Sequence, residues 1–178
     1  MQKSLGVDES VAKLMDALEI PIWRENENFR ETPRRVGSFY KELLGRKKPE
    51  IKVFPSNSNE MVVIKDLVDY SLCPHHLLPV RYEFRVGYIP TGQVIGLSKI
   101  PRIIHYMMSR LPLQEDLPDL IVGELMDLLR PMGAGCQVKG HHMCMEIRGV
   151  KTEGEFITTK LTGVMLLNPA THEEFLTC

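Results

Sequence analysis

At 178 residues, 43% of them hydrophobic, the chain can bury one good core with room for a helical extension. Its 22 basic and 23 acidic side chains leave a net charge of -1, so no global basic field exists to attract nucleic acid, and any polyanionic ligand needs a local cluster of cations. No run of about 18 apolar residues offers a membrane span, MQKSLGVDES has no apolar signal core, and the four cysteines (Cys73, Cys136, Cys144, Cys178) read as reduced thiols. A cytoplasmic protein with neither nucleic acid nor membrane as partner is expected.

In chain order, residues 8–20 carry Val11, Leu14, Met15 and Leu18 at helical spacing behind an acidic first turn, which predicts a helix. A second helix is expected from Thr32-Pro33 to Leu44, closed by Gly45. From about residue 61 the period changes. MVVIKDL reads as a strand, and RYEFRVGY alternates strictly, as an antiparallel strand with one wet face does. Thr91-Gly92 supplies a turn into QVIGLS, so residues 81–98 read as a hairpin. Two helices follow at roughly 100–110 and 116–130, the second ended by Pro131 and Gly133. GCQVKG, HMCMEIRG and FITTKLTGVML are three further strand candidates, and HEEFL a short terminal helix. The sum is an α+β domain with its helices on one face of a largely antiparallel sheet.

Two stretches concentrate chemistry. CPHH places Cys73, His75 and His76 within four positions. If residues 142–148 form a strand, His142, Cys144, Glu146 and Arg148 share one face, and Met143, Met145 and Ile147 take the core side. Cys73, either His75 or His76, and Cys144 then make a two-cysteine, one-histidine zinc site. Two thiolates neutralise the cation, and three ligands leave a fourth position for water. The competing reading is a set of unrelated core and turn residues.

At these residues the sequence resembles the GTP cyclohydrolase I family. The resemblance runs from about residue 30 through TPRRV, CPHH at 73–76, VIGLSK at 94–99, LQEDL at 113–117, HMC at 142–144, RG at 148–149 and the terminal EEFL. It implies the tunnelling fold: an antiparallel four-stranded sheet with two helices on one face, here a domain over 49–178 behind an N-terminal helical segment over 1–48. By the resemblance the Zn2+ ligands are Cys73, His76 and Cys144. His142 is the proton donor to the purine N7, and His75 moves protons at the ribose. Gln114 and Glu115 hold the guanine edge, where a carboxylate can accept from both N1–H and the exocyclic amine. Ser98, Lys99, Arg102 and Arg148 match the positions that meet the triphosphate, Ser98 counted with the catalytic set. On a strand, Arg148 would stand on the order of 13 Å beyond Cys144.

The resemblance further implies GTP and water as reactants, loss of formate, and 7,8-dihydroneopterin triphosphate as product. It implies a homo-oligomer, a decamer of two stacked pentamers with sites at subunit boundaries, and makes RYEFRVGY an edge strand at the ring contact. Pro74 stands where the family usually has glutamate, and Pro112 and Asp116 where glutamine and arginine are common. The rival readings are a cyclohydrolase on the same scaffold for another purine nucleotide, or one stopping at a ring-opened intermediate, and a zinc-stabilised binding module without catalysis.

Overall fold

The computed structural model describes residues 6–178, which divide into two compact units, one up to Arg46 and one from Lys47 onward. The first unit is helical: α1 (Val7–Ala17), the single turn α2 (Glu27–Arg30) and α3 (Thr32–Leu44). Asp8 and Glu9 occupy the first turn of α1, and Pro33 opens α3 where its missing N–H is not needed. Lys41 Nζ reaches Asp8 at 2.8 Å, tying α3 to α1.

The second unit contains β1 (Val53–Pro55), β2 (Val62–Leu72), β3 (Pro79–Ile89), β4 (Gln93–Ile95), α4 (Lys99–Met108), α5 (Leu117–Leu129), β5 (Gly133–His142), α6 (Met143–Glu146), β6 (Phe156–Leu161), α7 (Val164–Leu167) and α8 (Pro169–Thr177). Four strands form one antiparallel sheet in the order β2-β3-β5-β6. Val80, Tyr82, Phe84, Val86 and Tyr88 alternate along β3 toward one face. There they join Ile100, Ile103, Ile104 and Met108 of α4 and Leu117, Ile121, Leu125 and Leu129 of α5 in the main core. These helical positions recur every three or four residues, the stripe that buries a helix against a sheet. Arg130 ends α5 in the left-handed conformation, φ 46°, and Pro131 prevents its continuation.

Three expectations are corrected. Residues 81–98 are not a hairpin: β4 pairs with β1, Val53 facing Ile95, in a separate two-stranded sheet. The reason is that β3 is already flanked by β2 and β5, so neither side is open to β4. For the same reason RYEFRVGY is a central strand and no edge; the edges of this sheet are β2 and β6. HMCMEIRG is not a strand either. β5 runs continuously from Gly133 to His142 and then gives way to α6, closed by Ile147 N–H donating to Met143 O at 3.0 Å. His142 faces Val80, one residue from the start of β3, so beyond it the backbone has no neighbouring strand and bonds locally instead. Ile147, expected on the core side, is 61% exposed.

One packing feature was not anticipated. The opposite sheet face carries a second small core in which Phe175 of α8, Met165 of α7 and Leu161 close over Ile89. Gly87 lets the sheet and α8 close together there, since a Cβ would come within 3.1 Å of the Phe175 ring and force that ring to give by a few tenths of an ångström.

Candidate metal centre and active-site cavity

The loop between β2 and β3 holds the first ligand group. Cys73 N–H donates to Leu78 O at 2.8 Å, and His76 and Leu77 N–H both turn back to Cys73 O, at 3.2 and 2.8 Å. Pro74 occupies the first corner of this turn, where a fixed φ suits the backbone and no donor is missed. Leu77 takes a left-handed φ of 53°, which completes the reversal. Two adjacent histidines are thereby held beside one buried thiol: Nδ1 of His75 lies 3.7 Å and Nδ1 of His76 lies 3.6 Å from Cys73 Sγ.

The sheet brings the second group to the same end. β5 ends beside the loop because it is antiparallel to β3, and Cys144 follows in α6. Cys73, His76 and Cys144 have ligand atoms that all lie within 4.8 Å of one another. Two sulfurs and an imidazole nitrogen form a donor set suited to zinc. With bonds of about 2.3 Å to sulfur and 2.05 Å to nitrogen, tetrahedral geometry sets S and N about 3.6 Å apart. That is the Cys73–His76 spacing, so this group can hold a metal ion and leave a coordination position open. Burial, reinforced by the hydrogen bond and charge of Cys73, pushes the Cys144 thiol pKa up; a bound cation works in the opposite sense by stabilising thiolate.

A cavity of about 480 Å³ opens on these ligands, within the range of small-molecule sites. His75, His142, Gln114 and Glu115 line it, the last two from the turn that leads into α5. His142 Nε2 lies 2.8 Å from Gln114 Oε1, and the rings of Tyr82 and Phe156 meet His142 edge-on, with centroids 5.9 and 6.2 Å away. Burial lowers the His142 pKa, while the carboxylates of Glu115 and Glu146 pull it upward. Tyr82, Phe156 and Met145 also line the cavity. Sequence reasoning missed them because an apolar side chain at strand spacing looks the same whether it faces a core or a cavity.

The residues matched to the triphosphate stand elsewhere. Ser98 precedes α4, Lys99 begins it and Arg102 is exposed one turn on; Lys99 Nζ donates to Glu50 O at 2.8 Å. Arg148 is exposed after α6, not on the strand face expected for it. None of the four lines the cavity of the single chain.

Comparison with known proteins decides what this arrangement belongs to. A sequence model of GTP cyclohydrolase I matches residues 7–178. The chain belongs to the GTP cyclohydrolase I family. Its relatives include the GTP cyclohydrolase 1 of Leptospira biflexa, 40% identical over 157 residues that cover 84% of this chain and 86% of that protein. The GTP cyclohydrolase 1 of a Campylobacter jejuni strain is 40% identical over 156 residues, 84% of this chain and 82% of the relative. That of a Synechococcus strain is 39% identical over 159 residues, 85% and 69% respectively. As a member of the family the chain is an enzyme, a GTP cyclohydrolase with GTP as its substrate. Among solved structures, an apo crystal structure of the archaeosine synthase QueF-Like aligns with a TM-score of 0.50 at 21% identity, covering 60% of this chain and 97% of that one. At that identity the likeness concerns the fold alone, which is the tunnelling fold. Among the described residues no helix is long and apolar enough to cross a membrane.

Proposed function

We propose that the chain is a zinc-dependent GTP cyclohydrolase I that hydrolyses GTP at C8, releases formate and rearranges the remainder to 7,8-dihydroneopterin triphosphate. The observation that carries this reading is a Cys–His–Cys group ready for a metal in the same cavity as two further histidines and a carboxylate. Cys73, His76 and Cys144 hold the zinc, which supplies Lewis acidity and activates water near neutral pH. His142 hands a proton to the purine N7, drawing electrons from C8 and making it electrophilic. His75, beside His76 in the loop but outside the ligand group, moves protons at the ribose as its ring opens and recloses. Glu115, with Gln114 beside it in the same turn, accepts from guanine N1–H and the exocyclic amine. A site built on those two donors rejects adenine strongly.

Ser98, Lys99, Arg102 and Arg148 are assigned to the triphosphate, whose oxygens suit guanidinium forks and an ammonium. The far end of α4 is tied to the metal loop, since Ser71 Oγ, two residues before Cys73, donates to Met108 O at 2.6 Å. Ser98 and Lys99 sit at the opposite end of that ten-residue helix, about 15 Å along its axis from Met108, and Arg102 about 9 Å from it. This separation supports a site shared between copies, with the cations of one chain serving the cavity of another, and so a homo-oligomer; the assembly proposed is a decamer of two stacked pentamers. A cytoplasmic location follows from the ligands, because an oxidising compartment would pair two thiols this close.

Incubation with GTP is expected to yield formate and, after oxidation, a fluorescent pterin, from protein carrying about one zinc per chain. Unchanged nucleotide, or full activity in a metal-free preparation, would sink the reading.

A further inference from the structure

Gln114 is 3% exposed, and both ends of its side-chain amide are hydrogen-bonded. Nε2 stands 2.6 Å from Phe156 O and 3.5 Å from Val138 O, two groups that can only accept. The amide NH₂ must therefore point at them, which fixes Oε1 toward His142 at 2.8 Å. An amide oxygen only accepts, so the proton in that bond belongs to His142 Nε2. The Gln114 main chain is anchored as well, its carbonyl accepting from Thr158 Oγ1 at 3.2 Å. Space around the amide is set by Gly140: a Cβ there would overlap Oε1 and come within 2.9 Å of Cδ.

We propose that Gln114 is a positioning residue, whose amide, oriented by the Phe156 and Val138 carbonyls, holds the neutral His142 ring in the Nε2–H tautomer and leaves Nδ1 as the nitrogen that takes up a proton and hands it on to a bound purine. A ring held at one nitrogen and packed edge-on by Tyr82 and Phe156 has its orientation set before substrate arrives. Gln114 then acts on the purine through His142, and the base edge falls to Glu115 alone. The part concerning turnover rests on the function proposed above; the tautomer itself does not.

The test has two arms on the zinc-loaded protein. Magic-angle-spinning ¹⁵N spectra of histidine-labelled protein, with His142 assigned by loss of its signals in His142→Gln, are expected to show Nε2 protonated and Nδ1 bare. Gln114→Met should abolish that preference, and Gln114→Glu should keep it as the neutral acid, whose O–H replaces the amide donor to Phe156 O while its other oxygen accepts from Nε2–H. In turnover of GTP, Gln114→Met is expected to lower kcat by about a hundredfold, the size of a lost alignment, with KM kept within a factor of about two. A wild-type spectrum in which the neutral ring carries its proton on Nδ1 overturns the proposal, as does a Gln114→Met variant that keeps kcat and raises KM, the mark of a residue reading the base. If GTP is not turned over at all, the spectra still decide the tautomer, and the failure belongs to the assigned reaction.

Discussion

His75 and His76 are neighbours in sequence with different surroundings. Both approach Cys73 Sγ, but only His76 belongs to the group that also reaches Cys144. CPHH and HMC were legible as a pair because thiols and imidazoles at such spacing are rare in a core, and the sheet does bring them together. The choice between the two histidines was not legible from spacing, which left it to the family resemblance, since the turn that aims their rings depends on Leu77 taking a left-handed φ. Pro74 also has a physical account: at the first corner of the turn it restricts the unfolded loop without straining the folded one. Pro74→Ala should weaken zinc binding by about two- to fivefold in a chelator competition, the scale of one proline's entropic effect; unchanged affinity would show that the loop is fixed by other contacts. His142→Ala should retain zinc and lose ring opening, and loss of the metal instead would move His142 into the ligand set.

At the scale of elements, the helices were the most readable features. α3 was expected from Thr32 to Leu44, and those are its bounds, because a proline start and a glycine end are local signals. α4 and α5 follow from stripes of apolar residues that find the sheet. Leu125→Ala in α5, at a position 1% exposed, should lower stability by about 2–5 kcal/mol in urea denaturation; a loss under about 1 kcal/mol would mean that the core collapses around the vacancy. The strands were readable as strands but not as neighbours. Gly92 does reverse the chain, with φ 93°, yet the partner of β4 depends on which sides of β3 are taken, a fact no single segment carries. MCMEIRG has an acceptable strand pattern and forms a helical turn because β3 begins only at Pro79. Its pairing ran out before its pattern did.

For the whole molecule, a net charge of -1 required that cations for a triphosphate be gathered locally, and the N-terminal end of α4 carries two of the three assigned, Lys99 and Arg102, one turn apart. What the sequence could not tell is that α4 holds them away from the cavity of its own chain. Complementation tests the consequence at this scale. Arg102→Ala and His142→Ala chains, each inactive alone, should recover turnover when coassembled, because some cavities then receive an intact histidine from one copy and an intact arginine from another. No recovery in verified mixed oligomers would place both residues in the same chain's site.

The metal group has a consequence for folding as well. Cys73 and Cys144 come from segments separated by roughly 70 residues of chain, a span whose closure carries a large entropic cost in the unfolded state. An ion bound by both sulfurs is thus a reversible cross-link between the β2–β3 loop and α6, and its binding free energy adds to that of the native state. Stripping the metal with a chelator should lower the thermal midpoint along with the activity, and adding zinc back should raise both together.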